Sequence, residues 1–159
     1  MITFRQYKTR DAETVTGWVK DRTALFLWSA DRFRGFPLLP ETFDGIYADN
    51  SLMGYIAEDN GIMIGHLFMQ ELGDGVLKFG LIIVDPGKRG KGYGKRMLLS
   101  ALELAKEKYA PKKVLLYAFD TNEAAYNCYK SMGFKETGNV IDHIFDGQTH
   151  FYRQMEIEL

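Results

Sequence analysis

Residues 76–109 restrict the fold more than any other part of the chain, because three different patterns follow one another there without a break. VLKFGLIIV (76–84) is rich in β-branched and aromatic residues, which predicts a strand. The loop DPGKRGKG follows, and from about residue 92 to 109 the apolar residues recur every three or four positions, which predicts an amphipathic helix. We therefore expect a strand that runs through a glycine-rich loop directly into a helix N-terminus.

The patterns on either side predict an α/β sandwich with a mixed sheet. Before residue 76, we expect a strand, two short helices and a hairpin with an Asn-Gly turn. After the long helix, KKVLLYAF predicts a doubly covered strand, TNEAAYNCYKSM a short helix, and the last twenty residues a hairpin with an Asp-Gly turn. The order gives six to seven strands flanked by about four helices, in a single domain over residues 1–159.

Composition excludes several classes of protein. The net charge of −1 argues against general nucleic-acid binding, and no stretch approaches 18 apolar residues, so no membrane association is expected. The single cysteine, Cys128, excludes an intramolecular disulfide and is expected to be a buried thiol. His66, His143 and His150 lack metal-ligand spacing, so no metal is expected and they are interpreted as ordinary strand residues. The N-terminus has no apolar leader, and together these features favour the cytoplasm.

The positive charge is concentrated in KRGKGYGKR (88–96), and this loop predicts a phosphate site. Backbone N–H groups at a helix N-terminus lack partners and attract anions, and glycine allows a phosphate to approach the backbone closely. The Walker A lysine and the third glycine of the dinucleotide fingerprint are both missing, so a nucleotide-binding protein is disfavoured. The pattern that fits is R-x-x-G-x-G, at Arg89, Gly92 and Gly94.

This loop resembles the pyrophosphate-binding motif of the GNAT superfamily, the acetyl-CoA-dependent N-acetyltransferases. In that superfamily a second motif, N-x-x-A-x-x-x-Y-x-x-x-G-F, lies on the helix after the next strand. Together with the strand order, the resemblance covers about residues 2–158, and it implies the GNAT fold with acetyl-CoA as co-substrate. The second motif is matched by Asn122, Ala125, Tyr129, Gly133 and Phe134.

The resemblance implies a role for each matched residue. Ile82, Ile83 and Val84 would pair with the pantetheine arm of CoA between two diverging strands, VLKFGLIIV and KKVLLYAF. The Val84 N–H would polarise the acetyl carbonyl. Tyr129 would protonate the leaving thiolate. Asn122 would contact the pantetheine arm, or would be a plain helix cap. The residues that would hold the pyrophosphate are Arg89, Gly90, Lys91, Gly92, Tyr93, Gly94 and Lys95.

The general base is not identified by the resemblance. Many GNAT enzymes carry a glutamate on the strand before the loop, whereas residues 76–84 contain no acid. A water chain, Glu71, Asp74 and Asp31 remain as candidates.

The predicted function is transfer of an acetyl group to a primary amine, on a small molecule or a peptide, by direct attack in a ternary complex. A non-catalytic CoA-binding sensor with the same fold is the alternative, and a homodimer is left open.

Overall fold

The computed structural model describes residues 1–159 and contains one mixed sheet in the order β1-β2-β3-β4-β5-β7-β6. Neighbouring strands are antiparallel except for β4 and β5, which are parallel and joined by a crossover helix. The predicted mixed sheet is confirmed at its upper count of seven strands. They are β1 (Ile2–Gln6), β2 (Met53–Asp59), β3 (Ile62–Gly73), β4 (Val76–Val84), β5 (Lys113–Phe119), β6 (Lys135–Phe145) and β7 (Gln148–Glu158).

Five α-helices cover the sheet, one more than expected, because a proline-initiated turn in the loop before β2 is long enough to be a short helix. The first three helices pack on one face of the sheet, and the last two pack on the other. No helix has the length and apolar character needed to span a membrane. The helices are α1 (Ala12–Gly17), α2 (Arg22–Ser29), α3 (Pro40–Asp44), α4 (Tyr93–Tyr109) and α5 (Glu123–Ser131).

A β-bulge interrupts β4. Gly80 lies opposite Phe68 of β3, and Ile83 lies opposite His66, so three steps along β4 match two steps along β3. Leu81, within the extra step, has φ +47°, a conformation that side chains other than glycine rarely adopt. The bulge therefore forces a local change in the direction of the strand.

The bulge also changes the face towards which alternate β4 residues point. Leu77 and Phe79, before it, pack in the core beneath α4, whereas Leu81 and Ile83, after it, pack in the core beneath α1–α3. In a regular strand these four residues would share one face. Because the bulge shifts the alternation, each half of β4 contributes to a different core.

The strands β4 and β5 pair over only three residue pairs, from Val76 with Lys113 to Lys78 with Leu115. Both strands continue beyond this point without pairing to each other. The result is a V-shaped gap in the middle of the sheet. It lies between β4 and β5, the two strands that the resemblance predicted to diverge.

Candidate active site

The gap between β4 and β5 lies in the wall of a cavity of about 820 Å³, a size typical of small-molecule sites. From the α4–α5 side, Leu98 and Tyr129 line the cavity; from the α1–α3 side, Trp18 and Phe68 line it. The cavity therefore passes through the sheet, and two ligands that enter from opposite faces can meet inside it.

Six consecutive backbone N–H groups, from Gly90 to Lys95, donate to no acceptor in the protein. The last three of them belong to the first turn of α4, whose N-cap is Gly92. Gly90 and Gly92 adopt φ values of +77° and +79°, and a Cβ at either position would meet no protein atom within 4 Å. The loop is thus an open array of donors at the positive end of a long helix, which suits a phosphate.

The side chains of this loop divide between the cavity and the outside. Arg89 and Gly94 line the cavity, whereas the Tyr93 hydroxyl donates to Asp59 at 2.9 Å, outside the cavity. Tyr93 can therefore contribute only its backbone to a ligand there. The cavity is lined by seven predicted residues, Ile82, Ile83, Val84, Arg89, Gly94, Asn122 and Tyr129, while Gly90, Lys91, Gly92, Tyr93 and Lys95 lie outside its wall.

The backbone of β4 offers donors to the gap. The Asp85 N–H donates to the Ile64 carbonyl of β3 at 2.8 Å. Successive N–H groups of a strand point to opposite edges, so the Val84 N–H points towards the gap, and the alternation gives Ile82 the same direction. Ile83 pairs with His66 of β3, so its backbone groups point away from the gap, unlike those of Ile82 and Val84.

Asn122 begins α5, but its side chain makes no capping hydrogen bond. Its backbone supplies the usual contacts, with its N–H donating to the Phe119 carbonyl at 3.0 Å and its carbonyl accepting from the Tyr126 N–H at 3.0 Å. The side chain lines the cavity instead. The structure therefore does not show the plain helix cap, and the amide is free to bind a ligand.

Tyr129 is buried in the cavity wall, with 6% of its surface exposed, and its hydroxyl has no hydrogen-bond partner in the protein. Burial raises the pKa of Tyr129, which keeps the phenol neutral and able to donate. Tyr126 provides a contrast on the same helix: its hydroxyl donates to Glu136 at 2.5 Å, outside the cavity.

Cys128 is only half-buried and lines the cavity, so the prediction of a buried thiol is wrong. Burial raises the pKa of the thiol, although the Lys95 charge acts in the opposite direction. A reactive cysteine needs a lowered pKa, so this residue is not suited to be a nucleophile.

His66 stabilises the bulge in β4. It is fully buried, and its Nδ1 lies 2.9 Å from the Leu81 carbonyl. Because a carbonyl can only accept, Nδ1 carries the proton, and Nε2 accepts from the Tyr47 hydroxyl at 2.6 Å. Burial lowers the pKa of His66 to about 4, which keeps the ring neutral. This side chain is more than the ordinary strand residue expected from the sequence.

We expect the free energy of unfolding to fall between pH 6.5 and pH 4 because of His66. The unfolded chain takes up a proton near pH 6.5, while the folded protein does so only near pH 4. The unfolded state then binds more protons, and up to about 3 kcal/mol of stability is lost as the pH falls through this window. Urea unfolding at pH 7 and pH 4.5 measures the change.

The control for this experiment is His66→Asn, which retains an N–H donor for the Leu81 carbonyl but does not titrate. Its stability should depend less on pH than that of the wild type. Equal dependence on pH in the two proteins would contradict the assignment.

Two groups in the cavity wall, Asp31 and His143, could accept a proton from an amine. The other two predicted candidates, Glu71 and Asp74, lie at the exposed end of the β3–β4 hairpin, outside the cavity. His143 also lines the cavity and packs 5.5 Å from the Phe119 ring. The sequence predicts only an ordinary strand residue at His143, because a histidine in an alternating strand resembles any other half-buried residue.

These features agree with a comparison with known families. The model of the acetyltransferase (GNAT) family matches residues 19–134. The chain therefore belongs to the GNAT family, and the predicted membership of that family is confirmed. The predicted acyltransferase class and the predicted co-substrate, acetyl-CoA, are those of this family.

One of the relatives is named an N-acetyltransferase. The spermidine N(1)-acetyltransferase of Vibrio cholerae is 23% identical over 147 residues, which are 91% of this chain and 84% of that protein. A UPF0039 protein of Schizosaccharomyces pombe is 28% identical over 98 residues. The matched part is 62% of this chain and 63% of that protein, which is less than two thirds of either.

A solved structure shares the whole fold. The crystal structure of spermidine N-acetyltransferase from V. cholerae in complex with CoA and spermine superposes with a TM-score of 0.81 at 23% identity, covering 99% of this chain and 95% of that chain. This likeness confirms the predicted GNAT fold. The V. cholerae enzyme also has a dodecameric structure. The homodimer left open for this chain stays a prediction.

Proposed function

We propose that the protein transfers the acetyl group of acetyl-CoA to a primary amine of a small molecule or peptide, and that the two substrates meet in the gap between β4 and β5. The cavity that passes through the sheet supports this proposal most strongly, because it lets a thioester enter from the α4–α5 side and an amine from the α1–α3 side. Such an arrangement suits direct attack in a ternary complex.

The loop after β4 binds the pyrophosphate of CoA. Residues 90–95 provide backbone N–H groups at the N-terminus of α4, and Arg89, Lys91 and Lys95 add positive charge. The pantetheine arm then lies along the free edge of β4, where Ile82 and Val84 offer backbone groups and the Asn122 amide is unpaired.

The amine attacks the carbonyl carbon of the thioester, so a C–N bond forms and the C–S bond breaks. The Val84 N–H stabilises the negative charge that develops on the carbonyl oxygen. Tyr129 donates its proton to the departing sulfur. Burial raises the pKa of Tyr129, so the phenol is neutral and carries the proton that it donates.

The attacking amine must also lose a proton, since alkyl ammonium ions have a pKa near 10. Asp31 and His143 are the groups in the cavity wall that can receive it, directly or through water. Both lie away from the α4–α5 side, where the thioester would enter.

An amine panel tests the function. CoA release from acetyl-CoA is followed with a thiol reagent, in the presence of single amino acids, amino-acid amides, polyamines and a peptide N-terminus, while calorimetry measures acetyl-CoA affinity. We expect amine-dependent release of CoA. Tight binding of acetyl-CoA without turnover of any amine would contradict the proposal and favour the non-catalytic sensor.

A further inference from the structure

Two positive side chains lie in the cavity wall without a counter-ion. Lys78 and Arg32 both line the cavity, and neither forms an ion pair or a side-chain hydrogen bond in the protein. Both approach the same ring: the Arg32 guanidinium carbon lies 5.3 Å from the centre of Phe68, and the Lys78 ammonium lies 6.0 Å from it. The Lys78 ammonium is also 5.3 Å from the centre of the Tyr117 ring.

The charges of Lys78 and Arg32 affect each other. Partial burial, and next the charge of Arg32, lower the pKa of Lys78. Two like charges that are held near each other in a partly apolar wall repel, and an anion between them would relieve the repulsion. The wall also contains a buried donor without an acceptor, the indole N–H of Trp28.

The pyrophosphate of CoA does not account for these charges. Lys78 lies six positions before Val84, on the other side of the β4 bulge. The loop that binds phosphate lies beyond Val84, and α4 covers the other face of the sheet. Lys78 and Arg32 instead contact Phe68, which belongs to the core beneath α1–α3, the side on which the amine would enter.

The rest of the wall is poorly suited to a polycation. Asp31 is the only carboxylate among the lining residues, whereas Arg32, Lys78 and Arg89 are positive. A polyamine would need several carboxylates, and here it would meet a repulsive wall. One carboxylate and two cations in the same wall instead complement a molecule that carries both an ammonium and a carboxylate.

We propose that the acceptor amine also carries an anionic group, as a free amino acid does, and that Arg32 and Lys78 bind that group. This inference rests on the proposed function. Arg32 offers a planar fork that matches a carboxylate, and Lys78 adds a point charge. Together they orient the acceptor so that its amine faces the thioester across the gap.

Matched substrates test the inference. Ornithine is compared with putrescine, and phenylalanine with phenethylamine and phenylalanine amide, in the assay of CoA release. The amide controls for basicity, because it lacks the carboxylate but its amine loses a proton more easily than that of the amino acid. We expect kcat/KM to be at least about tenfold higher for the amino acids, in line with a hydrogen bond to a charged group.

The outcomes separate the two proposals. If the amines and the amide react as well as the amino acids, the inference is wrong while the proposed function stands. If acetyl-CoA binds but no amine reacts, the proposed function fails and the inference fails with it.

Variants test the two side chains. In Arg32→Gln and in Lys78→Met, the ratio of kcat/KM for phenylalanine to that for phenethylamine should fall by about tenfold to a hundredfold. Arg34→Gln, an exposed position outside the cavity, is the control and should keep the wild-type ratio. Arg32 is exposed, so its variant tests the inference even if Lys78→Met does not fold. An unchanged ratio in Arg32→Gln would overturn the assignment.

Discussion

Replacing Tyr129 with phenylalanine is expected to lower kcat by about 10²–10⁴-fold, the usual contribution of general acid catalysis. The change removes a hydroxyl that has no partner in the protein and leaves the buried ring in contact with Phe134. Acetyl-CoA affinity and the free energy of unfolding should therefore change little. Steady-state kinetics, calorimetry and urea unfolding measure the three quantities.

Tyr126→Phe is the matched control, because it removes a hydroxyl from the same helix, outside the cavity. It should keep kcat near the wild-type value. A thioester with a more acidic leaving thiol should be less affected by Tyr129→Phe, since it needs less help to depart. Full activity of Tyr129→Phe would exclude the phenol from catalysis and leave water as the proton donor.

The elements that local sequence patterns specify were predicted well. The β4–loop–α4 unit has apolar residues with the period of a strand and then of a helix, and glycines mark the loop between them. The β2–β3 hairpin turns at Asn60 and Gly61, which have φ values of +51° and +80°, as a type I′ turn requires. These elements depend on interactions between neighbours in the chain, so their patterns remain visible in the sequence.

The bulge in β4 could not be predicted in the same way. VLKFGLIIV reads as one apolar strand, and only Gly80 suggests an irregularity. The reason for Gly80 is a long-range contact, since a Cβ there would overlap the Phe68 ring of β3. The partner that holds the bulge, His66, is also on β3. Both contacts depend on strand pairing.

The candidate site was predicted in part for the same reason. The motif residues around the loop and α5 follow fixed spacings, so the resemblance located them. Arg32, Lys78 and His143 belong to three separate segments of the chain, and only the folded sheet brings them to one cavity. The acceptor side of such a site depends on tertiary structure, which explains why the sequence left the base and the amine open.

Gly94→Asp is expected to abolish most of the affinity for CoA without loss of stability. A Cβ at position 94 would have no protein atom closer than 4.0 Å, and the residue lies in the first turn of α4, where a carboxylate favours the helix by about 0.3–1 kcal/mol. A negative charge about 5 Å from the pyrophosphate costs about 3 kcal/mol at an effective dielectric constant of about 20. Calorimetry should show a loss of about a hundredfold or more.

Two controls separate charge from shape in this experiment. Gly94→Ala adds a Cβ without charge and should bind CoA more tightly than Gly94→Asp. Leu99→Asp adds the same charge at an exposed position of α4 outside the cavity and should bind CoA like the wild type. Because an aspartate at position 94 improves the helix while it repels a phosphate, stability and affinity should change in opposite directions. If Gly94→Asp binds CoA as tightly as the wild type does, the pyrophosphate does not lie on the first turn of α4.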